Sequence, residues 1–97
     1  MNLAWTLEFD AAARRQLRKL PATVGNRIVD KLEKIATDAN PRERGKAMAG
    51  EYAGHWRYRV GDYRVIARIE DGRMVIVVVT LGHRREEAHP QERARRR

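Results

Sequence analysis

The sequence predicts an α+β fold, a helical hairpin packed on one face of a four-stranded, mostly antiparallel sheet, in the order β-α-α-β-β-β with a short basic C-terminal tail. Three observations predict it. Leu3, Trp5, Leu7 and Phe9 alternate with more polar residues, the period of a strand. Val24, Ile28, Leu32 and Ile35 follow at spacings of four, four and three, the period of one helical face. Three strand-like segments then come in quick succession, divided by the turn dipeptides Gly61-Asp62 and Asp71-Gly72.

Asp10 is a natural N-cap between the first strand and a helix that opens on Ala11-Ala12-Ala13. Ala13, Leu17 and Leu20 share one side of that helix, and Pro21 breaks it. The second helix carries the Val24–Ile35 stripe and ends at Asn40-Pro41. Residues 40–54 read as a loop, because Pro41, Gly45, Gly50 and Gly54 sit among charged residues. The next strands are expected at 56–60, 63–69 and 73–81. Val75 to Val79 has no polar alternation, which places the last strand inside the sheet and covered on both faces.

The chain has 97 residues, enough for one domain over 1–97 with one modest core. It lacks cysteine, so it has no disulfide and no thiolate metal site. The start, Met1-Asn2-Leu3-Ala4-Trp5, has neither the basic region nor the apolar stretch of a secretion signal, and the longest apolar run, 74–81, is far short of a membrane span. A cytoplasmic protein without membrane contact is expected. Acidic residues do not fall at metal-ligand spacing, so no metal and no other cofactor is expected.

The formal net charge is +8, and 17 of the 21 basic residues are arginine. Residues 1–50 hold 10 basic and 6 acidic groups and residues 51–97 hold 11 and 7, so each half carries +4. A surplus of this kind seeks an anionic partner, nucleic acid first and an acidic protein second. Arginine's planar fork suits phosphate better than lysine's point charge.

Hairpin arithmetic sharpens this. A two-residue turn at Gly61-Asp62 sets Val60 against Tyr63, Arg59 against Arg64 and Arg57 against Ile66. A two-residue turn at Asp71-Gly72 would set Glu70 against Arg73, Arg68 against Val75, Ile66 against Val77 and Arg64 against Val79. One face then reads Arg57, Arg59, Arg64, Ile66, Arg68, Val75, Val77 and Val79. The other, with Trp56, Tyr58, Val60, Tyr63, Val65, Ala67, Ile69, Met74, Ile76 and Val78, is apolar and should meet the helices. Facing like charges cost about 0.2–1 kcal/mol per pair, and a bound phosphate reverses that sign. Arginines splayed into water on a solvated face are the alternative. Parity turns Trp56 and Tyr58 inward, towards core packing rather than base stacking.

The stretch His55-Trp56-Arg57-Tyr58-Arg59-Val60-Gly61-Asp62-Tyr63-Arg64-Val65-Ile66, with Thr80-Leu81-Gly82-His83-Arg84-Arg85-Glu86 after it, resembles the RelE branch of the RelE/ParE toxin superfamily. The likeness extends over nearly the whole chain, including the Phe9-Asp10 junction and Gly50-Glu51-Tyr52. It implies the toxin of a type II toxin–antitoxin system, a ribosome-dependent endoribonuclease that cuts mRNA and inhibits translation. It also implies a cognate antitoxin whose small acidic segment wraps the toxin in a hetero-oligomer. The resemblance carries the family's basic pair onto Arg57 and Arg59, its third-strand arginine onto Arg64, and its later arginine onto Arg84, with Arg85 as the alternative. The family's late tyrosine has no counterpart here: Ala88, His89 and Pro90 occupy that region.

RNA carries its own nucleophile, the 2′-OH. Arg57, Arg59, Arg64 and Arg84 suit the stabilisation of developing negative charge, and Arg68 and Arg85 extend the expected RNA-binding set. Arginine is a poor base, so His83 or His89 is the expected proton-transfer group, ahead of His55. Two other functions remain open: a ParE-like inhibitor of DNA gyrase without nuclease activity, and a nucleic-acid-binding module without catalysis.

Overall fold

Asp10 decides where the first strand stops and the first helix starts. In the computed structural model, which describes residues 4–83, β1 (Thr6–Phe9) leads straight into α1 (Ala11–Arg18). The Asp10 carboxylate accepts from the Ala13 backbone N–H at 3.0 Å, satisfying one of the donors a helix start leaves open. Pro21 precedes α2 (Ala22–Ala36), which ends earlier than Asn40-Pro41. No described helix is long and apolar enough to cross a membrane.

The rest of the described chain is β2 (Lys46–Ala47), β3 (Trp56–Val60), β4 (Tyr63–Glu70) and β5 (Val75–His83), with short 3₁₀ turns at Pro41–Arg44 and Gly50–Tyr52. The sheet order is β1-β5-β4-β3-β2. β1 runs parallel to β5, and every other pair is antiparallel. Both helices lie on one face. Ala13 of α1 and Ile28, Leu32 and Ile35 of α2 join Tyr58, Val60, Val65, Ala67, Ile76, Val78 and Leu81 in one buried cluster. Ile66, Val75 and Val77 are also buried but lie outside that cluster. The Val75–Val78 run is thus covered on both sides, as its composition predicts.

Three expectations need correction. Among the described residues the sheet has five strands, not four, because Lys46 and Ala47 in the expected loop pair with Arg57 and Trp56. The β4–β5 connection is not a two-residue turn on Asp71-Gly72. It spans Asp71 to Met74, closed by Met74 N–H on the Asp71 carbonyl at 3.1 Å. Met74 takes the left-handed conformation (φ 54°) and is exposed in the turn, not on the inner face. Glu70 therefore faces Val75, and Arg68 faces Val77. The slip is two residues, so the faces survive it. An irregularity at Ile66/Ala67 then moves the register once more. Ile66 faces Thr80, and Arg64 faces Gly82 rather than Val79.

Beyond Val78, β5 has no strand on its outer side among the described residues. Gln16 of α1 covers that edge: its side-chain oxygen accepts from the Leu81 backbone N–H at 2.9 Å and from the Thr80 hydroxyl at 3.2 Å.

Tyr58 ties the sheet to the loop before β2. Its ring is buried, and its hydroxyl donates to the Pro41 carbonyl at 2.8 Å. Burial pushes the phenol up to about 12, against a smaller opposing pull from the Arg42 guanidinium. The folded phenol therefore keeps its proton to higher pH than the unfolded one. Its stabilising contribution is whole below about pH 10 and is lost as pH rises towards about 12. Tyr58→Phe should cost about 1–2 kcal/mol near neutral pH, because the Pro41 carbonyl loses its donor. It should also flatten the alkaline decline. Urea unfolding of both proteins across that range checks this, and an unchanged decline in the variant would refute the assignment.

Candidate functional site

The β3–β4 register is the one expected: Arg59 faces Arg64 and Arg57 faces Ile66. β2 adds Lys46 directly opposite Arg57. Two like-charged cross-strand pairs thus lie on adjoining strands, each unfavourable by about 0.2–1 kcal/mol with nothing bound between them. These side chains open on the face away from the helices. With Glu43, Arg44 and Gly45 they line a cleft of about 290 Å³. Five cationic groups and one carboxylate give the lining a formal charge of +4. Gly82, opposite Arg64, contributes no side chain there.

Three arginines outside the cleft, on the neighbouring loop, strand and turn, are paired with carboxylates. Arg42 grips Asp71 with both terminal nitrogens, at 3.0 and 2.7 Å. Arg68 holds Glu70 at 2.9 Å, and Arg73 reaches Glu70 at 3.1 Å and Glu8 at 3.3 Å. Within the cleft Arg44 is tied to Asp38, but Lys46, Arg57 and Arg59 have no carboxylate partner among the described residues. A surface whose cations are left without internal counter-ions keeps its field for an outside anion.

One wall of the cleft is the Pro41–Gly45 segment, and the fold holds it in three ways. Tyr58 takes the Pro41 carbonyl. The Arg42–Asp71 pair bridges to the β4–β5 turn, with the Arg42 guanidinium 5.9 Å from the Trp56 ring centroid. The hydrogen bond between them raises the Arg42 pKa and holds the Asp71 carboxyl below its ordinary value. The Gly45 N–H closes the turn on the Arg42 carbonyl at 3.1 Å.

Arg57, Arg59 and Arg64 are therefore brought together. Arg68 is not: it lies farther along β4, bound to Glu70 and outside the cleft lining. His83 is not either. It pairs with Tyr63 across the β4–β5 ladder, and their rings meet edge-on at 5.4 Å on the helix side of the sheet. Arg84, Arg85 and His89 lie outside the described residues. Glu43, Arg44 and Lys46 escaped the sequence reading, since the segment 40–54 carries no alternation to mark a strand; the one available signal is its density of charge beside Gly45.

The sequence profile described as "ParE toxin of type II toxin-antitoxin system, parDE" matches residues 7–88. The chain belongs to the RelE/ParE superfamily of type II toxins. It is similar to toxin RelG of Mycobacterium tuberculosis, 32% identical over 82 residues that span 84% of this chain and 93% of RelG. Among solved structures, this RelE/ParE chain is similar to a toxin–antitoxin complex, RelBE, of Mycobacterium tuberculosis, with a TM-score of 0.76 and 30% identity over 86% of this chain and 94% of that one. An E. coli RelE mutant in the free state shares the fold, with a TM-score of 0.72 over 97% of this chain and 98% of that chain at 24% identity.

Proposed function

We propose that this RelE/ParE toxin is a cytoplasmic endoribonuclease that cuts mRNA on the ribosome and so stops translation. The observation that carries the reading is the convergence of Lys46, Arg57, Arg59 and Arg64 on one cleft, three of them without carboxylate partners among the described residues. In the proposed reaction the 2′-oxygen attacks the adjacent phosphorus, the bond to the 5′-oxygen breaks, and a 2′,3′-cyclic phosphate and a 5′-hydroxyl result. The guanidinium groups stabilise the extra charge on the phosphoryl oxygens, a contribution that is often the largest in such sites. They are poor proton carriers. That task falls to other groups: Glu43, the carboxylate of the cleft, or His89 beyond the described residues. His83, on the opposite side of the sheet, is poorly placed for it. The ribosome would supply the in-line geometry of the strand.

Regulation follows from family membership. Solved relatives include RelB–RelE complexes from Mycobacterium tuberculosis and Pyrococcus horikoshii. A cognate antitoxin with a small acidic segment, wrapped around the toxin, would neutralise the same cations that engage RNA.

The matching family profile is that of ParE, and this favours a second reading, a gyrase inhibitor without nuclease activity. Primer extension on a defined transcript separates the two. The proposed function predicts new 5′ ends in a complete translation reaction and none without ribosomes. An intact transcript together with blocked supercoiling by gyrase would reject the nuclease.

A further inference from the structure

A second basic cleft, larger than the first at about 650 Å³, lies between α2 and the β3–β4 turn. Its charged lining is Arg27, Lys31 and Lys34 of α2, with Arg59 of β3 and one carboxylate, Asp30. Positions 27, 31 and 34 fall on one side of a helix, flanking the Ile28–Leu32–Ile35 stripe that enters the core. All three are exposed, and none has an ion-pair partner among the described residues. Arg27 leans over the β3–β4 turn: its Nη1 stands 3.8 Å from where a side chain on Gly61 would begin.

Two features say what this surface takes. Arg59 lines both clefts, so the α2 cations continue the field of the arginine cleft around the end of β3. And Val60, itself 6% exposed, is the one aliphatic or aromatic side chain of the lining. A protein partner docking here would lack the buried aromatic or aliphatic contacts that dominate protein interfaces, whereas a phosphate backbone needs only cations and hydrogen-bond donors, which Thr23 and Asn26 add. Along the axis the helix rises about 1.5 Å per residue, so the three cations step along α2 like rungs, a few ångströms apart.

We propose that the α2 ridge, Arg27, Lys31 and Lys34, is a phosphate-backbone track for RNA, joined through Arg59 to the cleft where cleavage is proposed. It rests on the nucleic-acid part of that reading and gives the toxin a second grip on RNA that performs no chemistry. Each cation on the track displaces a counter-ion on binding, and this gives the test its readout.

The measurement is fluorescence anisotropy of the full chain with a 20-nucleotide single-stranded RNA, repeated across a range of salt, for the wild type and for Arg27→Gln/Lys31→Gln/Lys34→Gln. These substitutions are exposed, and circular dichroism and thermal unfolding should match the wild type. The track predicts a slope of log affinity against log salt that is shallower by about 2, from roughly 0.7 per lost phosphate contact on a single strand. An unchanged slope would overturn it. So would a loss of affinity for polyglutamate with RNA binding intact, which would mark the ridge as a docking face for an acidic protein. Transcript cleavage by the wild type is scored separately, so a chain that binds RNA through α2 but cuts nothing refutes the nuclease and leaves the track standing.

Discussion

Arg57→Ala and Arg64→Ala are each expected to lower the single-turnover rate of mRNA cleavage on programmed ribosomes by about 10²–10³, the usual loss when one donor to a developing oxyanion is removed. Folding should be nearly untouched. Arg59 faces Arg64, and Lys46 faces Arg57, so each substitution removes a like-charge contact. The unfolding free energy from urea titration should stay within about 1 kcal/mol of wild type or rise. Arg68→Ala provides the contrast. Arg68 sits on the same strand as Arg64 but is held by Glu70 outside the cleft, and its loss should leave cleavage close to wild type. If Arg68→Ala were as damaging as Arg64→Ala, the reactive site would be spread along β4 rather than gathered at the β2–β3–β4 cleft. If Arg57→Ala and Arg64→Ala kept full activity, the cleft would have no part in the chemistry.

Gly45→Ala is expected to reduce stability and activity together. The backbone there is extended, with φ −126°, so the requirement is one of space, not of backbone conformation. An added Cβ would stand 2.8 Å from Cε1 of Tyr58 and 3.0 Å from the Arg57 carbonyl oxygen. Neither neighbour can give way cheaply. The Tyr58 ring is 1% exposed in the core and bonded to Pro41, and the carbonyl belongs to β3. Overpacking of this kind costs about 1–3 kcal/mol. Its relief would push the Pro41–Gly45 wall away from Arg57 and so widen the cleft. Thermal unfolding and the cleavage assay on the same preparation check both halves. A variant with wild-type stability would show that the wall yields, and one with lost stability but full activity would show that its position does not matter to the reaction.

Much of the site is legible in the sequence because one short turn fixes it. Gly61-Asp62 joins β3 to β4 with Gly61 at φ +58°, and counting back from it places Arg57, Arg59 and Arg64 on one face with no further knowledge. The helices are equally legible, since Asp10, Pro21 and the Ile28–Leu32–Ile35 stripe are local signals. What the sequence hides depends on distant partners. Asp71-Gly72 has the composition of a tight hairpin, yet Asp71 is engaged by Arg42, 29 residues away in sequence, and the left-handed residue is Met74. The two-residue slip preserved the faces, but the irregularity at Ile66/Ala67 turned His83 towards Tyr63. β2 has two residues, both exposed, and exists because β3 offers an edge to pair with. No alternation could announce it, and with it Lys46 and the wall bearing Glu43 stayed hidden.

The central claim is that one phosphodiester of mRNA sits among Arg57, Arg59 and Arg64. The most direct measurement is a structure of this toxin on a ribosome carrying an mRNA with a single 2′-deoxy nucleotide at the cut position, which removes the nucleophile and stalls the reaction. The scissile phosphate is expected within hydrogen-bonding distance of those three guanidinium groups, on the sheet face away from the helices. A phosphate held instead on the helix side, beside Tyr63 and His83, or a toxin bound with this cleft turned to solvent, would contradict it.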